Sequence, residues 1–154
     1  MIKGIIFDLD GTLLDTSHDL SNAVNYALKN NGFKELDIKE VISNTGNGVK
    51  NLVKNCCMVE DDALFNKIFD DFNSFYSLHS KDFTVPYINV LDILKTLKSK
   101  NIKLAVVSNK KDPFVQSIIN HYFERIFDFV TGEREGFKRK PEKDLIDLCL
   151  NNLK

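Results

Sequence analysis

The chain has 154 residues, a length that suits one ordinary domain or a core with a modest insert. Its 21 Lys and Arg against 22 Asp and Glu leave a net charge of -1, which provides no field to attract nucleic acid or an anionic membrane. No apolar run approaches the roughly 20 residues that cross a bilayer. Three cysteines without metal-ligand spacing, and no N-terminal signal pattern, predict a reduced, cytoplasmic protein.

The first predicted element is a strand that ends in two carboxylates. Ile2 to Phe7 is typical of a buried strand in a parallel sheet, and Asp8 and Asp10 follow it. Gly11 permits the turn that would bring the two carboxylates together. Like charges at close range favour a bound cation, and carboxylate oxygens suit Mg²⁺. The alternative interpretation is an ordinary turn after a strand, with Asp8 in solvent.

The next part of the chain, from about residue 16 to residue 83, is predicted to be entirely helical. Thr16 or Ser17 is expected to cap its first helix, and a second helical stretch begins at Asp37. The acidic residues 60–62 precede a long helix, where the helix dipole favours them, so they are interpreted as a helix start rather than a metal cluster. The phenylalanine stripe of that helix indicates packing surface.

Alternating strands and helices resume near Pro86. The patterns predict a helix around residues 90–97, a strand over 104–107 that ends at Ser108 and Asn109, a helix with Asp112 as its N-cap, a strand over 127–130 and a final helix around 145–149. This order predicts an α/β fold, a three-layer parallel sheet of the Rossmann-like type with an inserted helical segment.

Polar side chains follow each predicted strand. Asp8 and Asp10 follow the first strand, Ser108 and Asn109 the second, and Lys140 lies one loop beyond the third. The carboxyl ends of parallel strands share one edge of a sheet, so these groups are expected to converge. A carboxylate nucleophile, hydroxyl and N–H donors and an ammonium group suit phosphoryl transfer. Each element also has an ordinary interpretation when it is considered alone. Ser108 and Asn109 could form a simple turn after a strand, and Lys140 could belong to a solvated basic loop.

The motifs in series resemble those of the haloacid dehalogenase superfamily, in particular its phosphoglycolate-phosphatase-like branch with a helical cap. The sequence Phe-Asp-Leu-Asp-Gly-Thr-Leu around Asp8 resembles the first motif, Val-Val-Ser-Asn-Lys around Ser108 the second, and Lys140-Pro the third. The glycine-containing stretch 45–48 resembles the substrate loop of the cap. The resemblance implies a core of residues 1–15 and 84–154, and a cap of residues 16–83 over the strand ends.

The resemblance also implies the site residues. Asp8 would be the nucleophile that forms an aspartyl-phosphate, Asp10 the general acid and base, and Ser108 and Lys140 the groups that hold the phosphoryl oxygens and balance their charge. Mg²⁺ would be the cofactor, bound by the Asp8 carboxylate and the backbone carbonyl of Asp10. Further substrate contacts are expected from Gly11, Thr12, Asn109, Gly46, Asn47 and Lys50. The residues alone do not distinguish the role of Asp8 from that of Asp10.

One departure concerns the fourth motif of the superfamily, an acidic loop after a further strand, which the sequence up to Lys154 does not contain. We therefore expect the chain to be a fragment of a longer protein or to be completed by a partner. The first strand would then be an apolar sheet edge that invites self-association. Weak metal binding and little activity are expected of these 154 residues alone.

Four functions remain open from the sequence. The leading hypothesis is a Mg²⁺-dependent phosphatase acting on a small phosphorylated metabolite, such as phosphoglycolate or a sugar phosphate. A phosphosugar mutase of the same superfamily and an inactive truncated relative that binds phosphate or a partner are the alternatives. A phospho-accepting receiver domain is disfavoured because it has no helical insert after its first strand.

Overall fold

The computed structural model describes residues 2–153 and divides into two units. The first unit combines Met1–Asp15 with Pro86–Lys154, and the second is Thr16–Val85, two residues longer than the predicted insert. The elements in chain order are β1 (Gly4–Phe7), β2 (Leu14–Asp15), α1 (Ser17–Asn30), α2 (Ile38–Ser43), α3 (Val49–Cys57), α4 (Asp62–His79), β3 (Val85–Pro86), α5 (Val90–Ser99), β4 (Lys103–Lys111), α6 (Asp112–Tyr122), β5 (Phe129–Glu133) and α7 (Asp144–Asn152).

The first unit is built on a parallel sheet, which confirms the predicted α/β class. Its strand order is β1-β4-β5, with Ile5 opposite Leu104 and Val106 opposite Val130. β1 is therefore an edge of this sheet among the described strands, as expected. A separate two-stranded sheet is formed by β2 and β3.

The sheet of the first unit is covered on both faces. Successive strand residues point to opposite faces, so Leu104 and Val106 pack in one apolar cluster while Ala105 and Val107 pack in another. The first cluster includes buried residues of α5 and α6, and the second includes buried residues of α7. This arrangement is the predicted three-layer order, and it explains why the central strand β4 is apolar on both sides.

The second unit, described by itself, is helical as predicted. α1 packs against α4, and the phenylalanine stripe of α4 is packing surface because Phe65, Phe72 and Tyr76 are all buried. The α2 helix begins with a capping box in which Asp37 and Glu40 each accept a backbone N–H. Thr16 occupies the N-cap position of α1 without a side-chain capping bond.

This helical unit contains a buried carboxylate, Asp19, that the sequence did not indicate. Asp19 is almost fully buried in α1, and its carboxylate accepts hydrogen bonds from the backbone N–H groups of Phe83 and Thr84 and from the Thr84 hydroxyl. These bonds satisfy a carboxylate that would otherwise be costly to bury. They join the beginning of the helical unit to its end.

The cysteines Cys56, Cys57 and Cys149 are buried and unbridged. Burial raises the pKa of the Cys149 thiol to about 11. Burial, with a smaller contribution from Cys57, does the same for Cys56. Since thiols with such pKa values stay protonated near neutral pH, these two cysteines act as apolar packing groups. Among residues 2–153, no helix is long and apolar enough to span a membrane.

Several predicted element bounds differ from the structure, and β1 begins at Gly4 rather than at Ile2. β4 continues through Ser108 to Lys111 because it resumes pairing with β5 at Glu133, after a register shift beyond Val107. The N-cap of α6 is Lys111 rather than Asp112, whose carboxylate accepts from the Gly132 N–H and from the Gln116 side chain and caps no backbone N–H of the helix. β5 begins two residues later than predicted.

The late start of β5 is explained by the Asp128 carboxylate. This carboxylate accepts hydrogen bonds from the Leu104 N–H at 2.8 Å and from Lys98 Nζ at 2.9 Å. Burial opposes ionisation of Asp128, but these donors outweigh it and hold its pKa below the ordinary value. A depressed pKa stabilises the folded state above the unfolded pKa near 4, and this stabilisation is lost as the pH falls through the folded pKa.

Asp128→Asn should therefore lower the free energy of unfolding by about 1 kcal/mol at pH 7, because a charge-assisted contact becomes a neutral one. The difference from the wild type should shrink as the pH falls from about 4, where the unfolded carboxylate becomes protonated, through the lower pKa of the folded carboxylate. Urea unfolding at several pH values measures both effects. Asp92→Asn, at an exposed carboxylate in the first turn of α5, is the matched control and should be nearly neutral. A pH-independent cost of Asp128→Asn would contradict the assignment.

Candidate active site

The chain turns sharply directly after β1, and this turn carries the two predicted carboxylates. Leu9 is fully buried, and its carbonyl accepts hydrogen bonds from the N–H groups of Leu13 and Leu14 at 3.0 and 3.2 Å. Gly11 has φ of +76°, a conformation that a residue with a side chain rarely adopts. The turn predicted at this glycine is confirmed, and it places Asp8 and Asp10 on either side of an anchored leucine.

Lys140 joins the third predicted motif to the first. Its Nζ atom donates to Asp8 Oδ1 at 2.9 Å and to the Val107 carbonyl at 2.7 Å. Asp8 and Lys140 are 132 residues apart in sequence. The structure therefore brings a predicted nucleophile and a predicted charge-balancing group together at the carboxyl edge of the sheet. The side chain of Asp8 remains 46% exposed, so the carboxylate is accessible.

A second lysine, which the sequence analysis did not assign to the site, pairs with the other carboxylate. Lys110 Nζ lies 2.9 Å from Asp10 Oδ1, and the lysine side chain is only 2% exposed. A buried ammonium group needs a partner of opposite charge, and Asp10 provides it. Lys110 directly follows Ser108 and Asn109 in the second motif, which was the available signal. The candidate site therefore contains two carboxylate–ammonium pairs, Asp8 with Lys140 and Asp10 with Lys110, which together are called the double pair.

Ser108 and Asn109 lie on β4 between these contacts. Ser108 is buried, and its Oγ accepts a hydrogen bond from the Lys110 N–H at 3.1 Å. The side-chain amide of Asn109 bonds to both backbone groups of Lys140, accepting from its N–H at 2.9 Å and donating to its carbonyl at 3.0 Å. The second and third motifs are therefore joined directly.

A third set of contacts fixes the ends of β4 and β5 beside the site. Asp112 accepts hydrogen bonds from the Gly132 N–H at 2.7 Å and from the Gln116 side chain at 3.3 Å, and it pairs with Arg134 at 3.0 Å. Burial opposes ionisation of Asp112, but these donors outweigh it and lower its pKa. The sequence pattern predicted Asp112 only as a helix cap, because Gly132 and Arg134 are distant from it in sequence.

The predicted substrate contacts fall into two groups. Gly11 and Thr12 are exposed in the turn after β1, in the same unit as the carboxylates. Gly46, Asn47 and Lys50 are exposed in the second unit, around the loop between α2 and α3. The substrate role of these five residues, and of Asn109, stays a prediction.

The carboxylates after β1 are the residues that could hold the predicted Mg²⁺ ion. Asp8 and Asp10 offer hard carboxylate oxygens of the kind that magnesium prefers, and both side chains are partly exposed, at 46% and 27%. Over residues 2–153, no group of three or more His, Cys, Asp or Glu side chains is arranged to hold a metal. The residues fit a magnesium ion that takes the Asp8 carboxylate and the backbone carbonyl oxygen of Asp10 and keeps its other ligands as water or substrate oxygens.

Fold and site together define an α/β protein of the Rossmann-like type with an aspartate–lysine site at the carboxyl edge of its sheet. The chain belongs to the haloacid dehalogenase-like hydrolase family, whose model matches residues 5–154. This finding confirms the resemblance drawn from the three motifs.

Relatives of known sequence and structure agree with this membership. Phosphoglycolate phosphatase of Aquifex aeolicus is 33% identical over 91% of this chain, and that of Neisseria meningitidis is 36% identical over 91%. The chain spans 65% and 62% of the lengths of these two relatives. Among crystal structures, one from Lactobacillus delbrueckii subsp. bulgaricus, of a protein predicted to be a phosphoglycolate phosphatase, is 32% identical with a TM-score of 0.90. That similarity covers 98% of this chain and 73% of the other.

Proposed function

We propose that the protein is a Mg²⁺-dependent phosphatase that hydrolyses a small phosphorylated metabolite through an aspartyl-phosphate. The observation that carries this proposal is the double pair at the strand ends, in which Lys140 contacts Asp8 and the buried Lys110 contacts Asp10. Phosphoryl transfer needs an accessible nucleophile and positive charge close to it, and both are present. The relatives named phosphoglycolate phosphatase support phosphoglycolate, or a metabolite like it, as the substrate.

In the first step, an oxygen of Asp8 forms a bond to phosphorus while the bond from phosphorus to the leaving oxygen breaks. Asp10 gives a proton to that leaving oxygen, and the alcohol departs. In the second step, water attacks phosphorus, Asp10 takes a proton from the water, and the bond between Asp8 and phosphorus breaks. Inorganic phosphate is released, and both aspartates return to their starting state.

The two lysines serve different purposes in this scheme. Lys140 is partly exposed and holds Asp8 in place before substrate arrives, and from this fixed position its ammonium group can also contact the phosphoryl oxygens. Lys110 is buried, so its contact with Asp10 orients that carboxylate toward the leaving oxygen. Ser108 would donate its hydroxyl to a phosphoryl oxygen. Magnesium, held by the Asp8 carboxylate and the backbone carbonyl of Asp10, would supply further charge to the phosphoryl oxygens when bound.

Substrate choice is proposed to depend on the second unit. Its exposed loop residues Gly46, Asn47 and Lys50 supply an amide and an ammonium group that suit an acidic metabolite. Substitutions of Asn47 and Lys50 would then alter preference among metabolites more than the rate on a small aryl phosphate. The three unbridged cysteines support a cytoplasmic setting.

Phosphate release from para-nitrophenyl phosphate should require Mg²⁺, with half-saturation on the order of 1 mM, because the described residues offer the ion no group of three or more acidic, His or Cys ligands. The rate is measured against magnesium concentration, for the 154 residues and for the longest natural chain that contains them. EDTA should stop the reaction, and re-added Mg²⁺ should restore it. Release that persists in EDTA would contradict the proposal.

The mutase alternative is separated by a second measurement on phosphosugars. A phosphatase releases inorganic phosphate in proportion to substrate consumed, whereas a mutase forms an isomer with little free phosphate. We expect stoichiometric phosphate. Isomer formation without phosphate would leave the aspartyl-phosphate chemistry in place and change its acceptor from water to a sugar hydroxyl.

A further inference from the structure

The side-chain amide of Asn109 makes a two-point contact with the backbone of Lys140. The amide oxygen accepts from the Lys140 N–H at 2.9 Å, and the amide nitrogen donates to the Lys140 carbonyl at 3.0 Å. Asn109 lies on β4, whereas Lys140 lies in the stretch between β5 and α7. The contact therefore attaches a loop residue to the central strand of the sheet.

The same lysine is attached to β4 a second time through its side chain. Lys140 Nζ donates to the Val107 carbonyl at 2.7 Å and to Asp8 Oδ1 at 2.9 Å. Val107 and Asn109 are two residues apart on one strand, so β4 holds both the backbone and the ammonium group of Lys140. With both ends held, the lysine stem has little freedom to carry the ammonium group away from Asp8.

A lysine in a loop needs such a support to act at a defined place. Residues 134–143 contain no helix or strand in the described structure, and a lysine side chain loses considerable rotamer entropy when it is fixed. A group that is held before the substrate arrives avoids that cost during the reaction.

We propose that Asn109 is a positioning residue, whose side chain holds Lys140 against Asp8, rather than a residue that binds substrate through its side chain. Its effect on turnover rests on the proposed phosphatase function, whereas the placement of Lys140 does not. The amide oxygen and one amide N–H of Asn109 are already committed to the Lys140 backbone.

The placement is tested by the reactivity of Lys140 toward an acetylating reagent, followed residue by residue with mass spectrometry. Asn109→Ala should raise the acetylation rate of Lys140 by on the order of 10-fold, since two hydrogen bonds that hold the lysine are lost. Asn109→Asp keeps the acceptor and loses the donor, so it should give an intermediate rate. This nearly isosteric variant keeps the test decisive if the alanine variant folds poorly.

Asn25 provides a matched control within the same chain. Its side-chain amide makes the same two-point contact with the backbone of Leu36, at 2.9 Å in both directions, in the helical unit. Asn25→Ala removes equivalent bonds and should leave the acetylation rate of Lys140 unchanged. A Lys140 rate that rises equally in Asn25→Ala, or that does not rise in either Asn109 variant, would overturn the placement.

The link to turnover is tested by a double-mutant cycle between Asn109→Ala and Lys140→Ala. If Asn109 acts through Lys140, its substitution should lower kcat by on the order of 10-fold in the wild-type background and have no further effect once Lys140 is alanine. Additive losses would overturn the proposed route through Lys140. A wild-type protein without phosphate release, combined with the expected acetylation changes, would overturn the phosphatase function and leave the positioning of Lys140 supported.

Discussion

Asp8→Asn should abolish phosphate release while leaving the fold intact. An amide has nearly the shape of a carboxylate but no anionic oxygen to attack phosphorus, so the loss should span several orders of magnitude in kcat. The pair that Asp8 forms with Lys140 is substantially exposed, so its removal should change the free energy of unfolding by less than about 1 kcal/mol. Phosphate release and thermal unfolding are measured on the same preparation, in a length of chain whose wild-type form turns over.

Asp147→Asn is the matched control for this substitution. Asp147 is an exposed carboxylate in the first turn of α7, and the same chemical change there should leave turnover unaffected. An Asp8→Asn protein that unfolds at the wild-type temperature and still releases phosphate would show that Asp8 is not the nucleophile. Asp10 would then be the carboxylate to test next.

Gly132→Ala should have the largest effect on the stability of the first unit. A Cβ atom at Gly132 would meet the backbone carbonyl of Lys110 and lie 2.8 Å from the backbone nitrogen of Asp112. Backbone atoms of a packed central strand cannot move aside as a flexible side chain can, so β5 and β4 would have to separate. We expect a loss of about 2 kcal/mol or more in the free energy of unfolding. The midpoint of thermal unfolding should fall by roughly 4–8 °C.

The same substitution should also reduce turnover, because the displaced backbone belongs to Lys110, which pairs with Asp10, and to Asp112. Gly4→Ala is the matched control in β1 of the same sheet, where the added Cβ would meet Lys103 at an ordinary 3.4 Å. That variant should be nearly neutral in both measurements. A stable and fully active Gly132→Ala protein would mean that the two strands tolerate greater separation than the structure indicates.

The order of elements and three of the site motifs were predictable from local sequence. An apolar run is readily identified as a buried strand, and Asp8 and Asp10 follow such a run directly. Helix starts such as Asp37 were predictable because a capping box is formed by residues only three apart. The turn at Gly11 was predictable because few other residues adopt its conformation.

The prediction was wrong where a contact over a long sequence distance overrides a local signal. Asp112 and the following proline are typical of a helix start, yet the Asp112 carboxylate bonds to Gly132 on another strand. β5 begins late because Asp128 bonds to Leu104 of β4. In both cases the partner lies 20 or more residues away, and a short window of sequence holds no information about it.

The sequence by itself determined which chemical groups are present at the strand ends, because residue type and hydrophobic periodicity are local properties. Only the tertiary structure decided which of these groups pair. Asp8 meets Lys140 across 132 residues, and the buried Lys110 reaches Asp10, because β1 and β4 are neighbours in a parallel sheet. The physical reason is that strand order and register depend on how the helices pack over both faces of the sheet, and that packing involves the whole of the first unit at once.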